Sequence, residues 1–198
     1  MPEGPISRVT GTVVPYVRDR VDTDRIIPAR FLKETTFEAM AGYAFTDERT
    51  DEKGKHPFDQ PQYAGAEILV AGSDFGVGSS REHAPHALMR TLGGIKAIVA
   101  ESYGPIFWPN CVQNGIVVAT ADRRTINDLA AFVEANPSAE FTLDVRAQLL
   151  QHEGGVYTVS VDTAVRQSYL DGSWNTFGQL LENVDAVRAA LAGLPPHY

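Results

Sequence analysis

Between residues 67 and 145, short β-branched runs alternate with stretches of helical periodicity, and this alternation restricts the chain more than any other feature. Glu67–Ala71, Ile95–Ala100, Ile116–Ala119 and Glu140–Val145 read as strands. After the first, Ser80–Leu92 sets Ala84, Ala87, Leu88, Thr91 and Leu92 on one helical face, and Gly93-Gly94 stops it. After the third, Asp122 stands where it can cap a helix with the stripe Ile126, Leu129, Ala130 and Val133, ending at Asn136-Pro137. Strands separated by helices pair in parallel, so the pattern predicts an α/β fold. Further strands are expected at Arg8–Val14 and Val156–Val161. Gly42–Tyr63 is rich in Asp, Glu, Lys, Pro and Gly and reads as a long exposed loop or insertion. Residues 173–194 read as two short C-terminal helices, the second capped by Asn183 or Asp185. One domain spanning 1–198 is expected, with the helical C-terminus appended.

Composition narrows the function classes. A single cysteine, Cys111, excludes an internal disulfide framework, a multi-cysteine zinc site and an iron–sulfur cluster held by this chain alone. A net charge of −8 with no Lys/Arg run argues against nucleic acid as a partner. No stretch approaches the roughly 20 apolar residues that span a membrane. The start, Met1 to Pro5, lacks the basic and apolar regions of a secretory leader, and a cytoplasmic location is expected. His83 and His86 lie three apart without an identifiable third metal ligand and read as structural. Cys111 has no adjacent base and reads as a packing residue rather than a nucleophile.

Gly72–Ala84 is the most informative segment: a hydrophobic strand runs into a glycine-rich turn and then into a helix. Gly72, Gly76 and Gly78 allow backbone N–H groups to approach an anion, a helix start adds positive potential, and Ser79, Ser80 and Arg81 sit at its mouth. Ser79-x-x-Glu82 has the spacing of a capping box, which would engage the hydroxyl with the backbone instead. A P-loop is excluded, because no Lys-Ser/Thr pair follows the glycines. A nucleotide-binding domain is the rival reading: Gly76-x-Gly78 begins the dinucleotide fingerprint and Glu101 falls where a ribose-binding acid belongs. Arg81, however, occupies the third-glycine position; a guanidinium there suits a small carboxylate gripped by two parallel hydrogen bonds. Asp22-Thr23-Asp24 reads either as an Asx-type turn or as a loop in which Asp24 orients a partner group. Ile26, Ile27 and Phe31 would then wall an apolar pocket.

Asp22-Thr23-Asp24 with Ile27-Pro28, the run Gly78-Ser79-Ser80-Arg81-Glu82-His83-Ala84, and Phe107 with Asn110-Cys111 and Gly115 together resemble the small subunits of isopropylmalate isomerase (3-isopropylmalate dehydratase) in the aconitase superfamily. The resemblance covers nearly the whole chain in order and length. It implies a swivelling β/β/α domain that closes over a large subunit carrying a [4Fe–4S] cluster, with no cofactor and no metal on this chain. The implied reaction is a hydro-lyase step of leucine biosynthesis: 2-isopropylmalate loses water to 2-isopropylmaleate and regains it as 3-isopropylmalate. Ser79 is the implied general base and Arg81, with Ser80, the implied carboxylate clamp. Asp24 supports active-site groups, and Arg30, Phe31 and Leu32 lie by analogy over the substrate's variable group. Phe31 and Leu32 suit an isopropyl group, whereas Arg30 and Lys33 suit a carboxylate, so a homoaconitase- or citraconate-type hydro-lyase is the alternative.

Overall fold

The computed structural model describes residues 4–34, 36–79, 81–176, 178 and 184–192. Among them, eight strands form two four-stranded sheets. In the parallel sheet, β2 (Val13–Tyr16), β3 (Ile68–Ala71), β4 (Ala97–Ala100) and β5 (Val117–Thr120) lie in that order, with Val13 opposite Ile68, Ile68 opposite Ala97 and Ala97 opposite Val117. Every residue of β3 and β4 is buried, the mark of a sheet covered on both faces. Pro15 has no amide hydrogen to donate and sits on the edge strand β2.

The helices follow the expected alternation. The first crossover carries α1 (Thr23–Ile26) and α2 (Thr46–Glu52), the second α3 (His83–Leu88), the third α4 (Phe107–Gln113), and α5 (Arg123–Ala135) follows β5. Helix α5 has the predicted cap, with the Asp122 carboxylate accepting from Thr125 N at 2.8 Å, and it buries Ile126, Leu129, Ala130 and Val133. It packs on β2 and β3, while α4 packs on β5.

The second sheet is antiparallel, in the order β1 (Arg8–Gly11), β6 (Phe141–Asp144), β7 (Leu149–His152), β8 (Gly155–Thr158). The stretch Arg8–Val14, expected as one strand, is therefore two, one in each sheet. The hand-off is at Thr12, whose carbonyl accepts from Glu67 N at 3.1 Å and Ile68 N at 3.2 Å. Gly11 permits it, because a Cβ there would lie 2.8 Å from Glu67 Cβ. Thr120 and Ser160 exchange backbone bonds of 2.7 Å beyond the ends of β5 and β8.

Three further segments differ from expectation. β7 was not foreseen; it pairs with β8 across the two-residue turn Glu153-Gly154. Helix α6 (Thr163–Asp171) precedes the region read as helical, capped by Asp162 and closed by Gly172 at φ +83°. Its Tyr169 hydroxyl donates to Ile116 O at 2.6 Å and accepts from Val118 N at 3.3 Å. Of the two helices expected over 173–194, α7 (Val184–Ala192) is present, with the alternative cap Asp185 inside it; much of the stretch expected for the other, with the cap position Asn183, falls outside the described residues. Residues 42–63 form α2 and two 3-10 turns, Pro57–Asp59 and Pro61–Tyr63, rather than an exposed loop. Ala44, Phe45, His56, Phe58 and Tyr63 are buried, and Phe45 lies with its ring centroid 4.6 Å from that of Tyr16.

Candidate active site

The loops leaving the C-terminal ends of β2, β3 and β4 meet, where open α/β sheets characteristically bind ligands. The β2 loop contributes the turn Asp22–Ile26. Asp22 caps it, its carboxylate accepting from Arg25 N at 2.8 Å, so the Asx-type reading holds for Asp22. The β3 loop pairs with this turn: Gly76 N donates to Val21 O at 2.7 Å and Thr23 N to Val77 O at 2.8 Å. The buried Thr23 hydroxyl donates to Ser79 O at 3.1 Å. From the other side, the β4 loop receives Phe75 N at Ser102 O (3.0 Å) and gives Gly104 N to Phe75 O (2.8 Å).

These pairings change the role expected of the glycines. Gly76 is at φ +78°, and a Cβ there would overlap the Phe107 ring; a Cβ at Gly104 would overlap Gly76 O. The loop thus needs glycine to pack against its own protein. Its Gly76 amide is already bonded to Val21 and not offered to an anion. Only Gly78 is open, with φ +104° and its nearest neighbours, Asp22 Cβ and Thr23 Oγ1, 3.5 Å from an added Cβ.

The capping box does not form. Helix α3 begins at His83, and its cap position, Glu82, makes no side-chain cap bond. Ser79 lies four residues before the helix, is exposed, and its hydroxyl has no hydrogen-bond partner among the described residues. The helix has six residues, so the strong positive group beside Ser79 is Arg81 rather than a helix terminus. The Arg81 guanidinium is mostly enclosed, with 16% of its side chain exposed, and Nη1 donates to Oδ1 of the half-exposed Asp24. That contact fixes one edge of the guanidinium fork and leaves its other N–H groups to face an acid. Asp24, 57 positions from Arg81 in sequence, is therefore brought to the segment that carries Ser79 and Arg81. Ser80 lies outside the described residues.

Arg30, Phe31 and Leu32 form part of the 3-10 turn Ala29–Lys33, and none has a hydrogen bond or ring contact to Ser79 or Arg81 among the described residues. Arg30 pairs through both terminal nitrogens with Asp47 of α2 and lies over the Phe31 ring, 4.6 Å from its centroid. Phe31 stacks on Tyr43 at 4.1 Å. The same crossover reaches α3 through Phe37, stacked on His86 at 3.6 Å. Burial, then the Arg90 cation, hold His86 below the usual imidazole range, and its Nδ1 lies 3.0 Å from Arg90 Nη1, so it serves packing.

Two residues that hold the site's loops in place were not singled out from the sequence. Thr23 carried the signal of a small polar residue between two acids, whereas Glu48 carried none. The Glu48 carboxylate, 15% exposed, accepts from Tyr16 Oη at 2.6 Å, from Arg18 Nη1 at 3.1 Å and from Arg25 Nε. Burial raises its pKa, but the Arg25 and Tyr16 hydrogen bonds outweigh that and leave it below the usual carboxylate range. No group of three or more His, Cys, Asp or Glu suited to a metal occurs among the described residues.

The model of the aconitase C-terminal domain matches residues 4–123, a span that includes all three converging loops. A 3-isopropylmalate dehydratase small subunit from Synechocystis is 40% identical over 190 residues, covering 96% of this chain and 94% of the relative. The chain belongs to the 3-isopropylmalate dehydratase small-subunit family. A second member, from Thermus thermophilus, is 41% identical over 177 residues, covering 88% of this chain and 87% of its own. The crystal structure of a 3-isopropylmalate dehydratase from Methanocaldococcus jannaschii superposes with a TM-score of 0.64, covering 90% of this chain and 99% of the other. At 22% identity that likeness establishes the fold: the swivel-type α/β domain of the family, with one parallel and one antiparallel sheet and a helical C-terminus.

Proposed function

We propose that this chain supplies the proton-transferring and carboxylate-gripping half of an active site that interconverts 2-isopropylmalate and 3-isopropylmalate through 2-isopropylmaleate. The observation that carries the reading is the Asp24–Arg81 ion pair two residues along the chain from the exposed Ser79, whose hydroxyl has no partner among the described residues. Arg81, oriented by Asp24, holds a substrate carboxylate with its free N–H groups, and Ser80 joins it. Ser79 takes the proton from the carbon next to the one losing hydroxide; on rehydration the hydroxide adds to the carbon that lost the proton, and Ser79 gives its proton to the carbon that lost the hydroxide. A serine hydroxyl is a weak base, and the positive field of Arg81 stabilises the alkoxide that the step requires. Phe31 and Leu32 supply apolar cover for the isopropyl group. The Arg30–Asp47 pair supports this choice over a homoaconitase- or citraconate-type substrate, because Asp47 already neutralises the nearby cation.

The chain's single cysteine is buried, and one enclosed thiol does not fit a [4Fe–4S] cluster, which needs several. Such a cluster belongs in this reading to the large subunit, where it would supply a Lewis acid for the departing hydroxyl. The nucleotide alternative is disfavoured by two observations. Gly76 packs on Phe107, and Glu101 lies 2.5 Å from Arg123 rather than free for a ribose. The described residues contain no helix long and apolar enough to cross a membrane, and a cytoplasmic location is part of the proposal.

Co-expression with the large subunit and an isopropylmalate hydro-lyase assay test the proposal. Ser79→Ala should assemble normally and lose about 10²–10⁴-fold in kcat, the usual worth of a positioned proton-transfer group. Wild-type turnover in that variant would remove Ser79 from the mechanism.

A further inference from the structure

The turn that carries Asp24 is held from two sides. On one side Thr23 bonds Val77 O and Ser79 O of the β3 loop. On the other, Arg25, the residue after Asp24, is drawn away into α2. Its Nε donates to Glu48, and its Nη2 lies 3.3 Å from the Tyr16 hydroxyl, which itself donates to Glu48. Phe45 N, just before α2, donates to Ile26 O at 2.9 Å and fixes the two elements together, with Phe45 in the left-handed region at φ +57°.

The arrangement has an electrostatic consequence. Two arginines, Arg25 and Arg81, serve this turn: Arg81 is bonded to Asp24, whereas Arg25, in the field of Asp22, is bonded to Glu48. Arg25 is engaged because Glu48 faces it from a mostly buried position. Released, Arg25 would have two carboxylates on its own turn: Asp22, whose field it already feels and which caps the turn, and Asp24. Bonding either one would loosen Arg81. We propose that Glu48, on the segment 42–63, is a positioning residue of the site, keeping Arg25 occupied so that Asp24 orients Arg81 alone. Segment 42–63 thereby acts on catalysis without touching substrate. The catalytic part rests on the functional reading above; the structural part does not.

The experiment uses Glu48→Gln, Arg25→Met and their combination in the full chain. The first readout is the side-chain Nε–H resonance of Arg81, assigned by its loss in Arg81→Lys. The second is isopropylmalate turnover by the complex with the large subunit. Glu48→Gln should shift the Arg81 resonance and speed its solvent exchange. It should also lower kcat/KM by about ten- to a hundredfold, as expected when a clamp is displaced by about 1 Å. Removing the competitor should reverse both effects, so the double variant returns to within about threefold of Arg25→Met alone. A merely structural network predicts the opposite, a double variant no better than Glu48→Gln, and that result overturns the proposal. An unmoved Arg81 resonance in folded Glu48→Gln overturns it too. If Glu48→Gln does not fold, Arg25→Met decides: an Arg81 resonance displaced by that change means Arg25 is needed in place, not merely kept away, and the proposal fails. If the wild-type complex leaves isopropylmalate unchanged, the functional reading fails while the resonance still decides the role of Glu48.

Discussion

Gly76 and Gly78 stand two residues apart in the same loop at positive φ, and alanine should affect them very differently. Both substitutions place an L side chain in the left-handed half of φ space, at +78° and +104°, which costs roughly 1–2 kcal/mol. Alanine recovers about 0.4–1 kcal/mol of this by restricting the unfolded chain. For Gly78→Ala that is the whole account, because the nearest atoms stand 3.5 Å from the new Cβ, an ordinary contact. For Gly76→Ala the methyl overlaps the Phe107 ring, which is 1% exposed and packed edge-on against Phe75 with centroids 5.5 Å apart. Neither ring has room to retreat, so an overpacking cost of about 1–3 kcal/mol is added. Gly78→Ala should therefore destabilise by about 1 kcal/mol and Gly76→Ala by about 2–4 kcal/mol, a large share of the roughly 5–15 kcal/mol typical of a domain. Urea unfolding of both variants at 25 °C, with the slopes compared to confirm that the unfolded states match, measures the difference. Equal losses would show that backbone strain alone governs this loop and that its packing on Phe107 is not tight.

Stability should also depend on pH through two buried histidines. Burial above all holds His56 and His86 below the ordinary imidazole range, so the folded state keeps them neutral while the unfolded chain protonates near pH 6.5. Their contribution is complete above about pH 6.5 and is lost as pH falls toward the lowered folded values, at up to about 1.4 kcal/mol per pH unit for each. Urea midpoints at pH 7.5 and 5.5 should separate, and His56→Gln should narrow the gap; an unchanged gap would refute the assignment. Cys111 is fully buried, and burial pushes its thiol well above the ordinary range. It should resist a thiol-specific reagent at pH 8 in the native protein and react in denaturant, whereas rapid native labelling would reopen the nucleophilic reading.

Local signals proved most readable where one element contained all of its own reasons. Helix α5 has its cap, its stripe and its Asn-Pro stop within one stretch of sequence, and the structure matches each. The break at Thr12 was missed because Val9-Thr10 and Val13-Val14 favour strands; Gly11 between them is a local hint, but the contact that requires glycine there comes from the distant Glu67. Leu149-Leu-Gln-His lacks alternation, so β7 is recognisable only through its pairing with β6 and β8. Glycines announced a close approach at Gly76, but nothing in the sequence says whether the approaching group is a ligand or Phe107. At the site, Asp24, Ser79 and Arg81 were legible as residue types in motifs. The device that keeps Arg25 away from Asp24 joins α1 to α2 across 23 positions and leaves no local trace.

The hand-off at Thr12 has a consequence for how the chain reaches its structure. β2 finds β3 within the first crossover, but β1, one residue earlier, pairs only with β6, and the Arg8–Asp144 contact spans 136 positions. Loop-closure entropy of that size delays the antiparallel sheet relative to the parallel one. During synthesis, β1 must wait as an unpaired strand until β6 has emerged, and exposed strand edges of this kind are where partly folded chains associate. Adjacent residues thus commit to structure at opposite ends of the folding process, and β1 finds its place long after its neighbour β2.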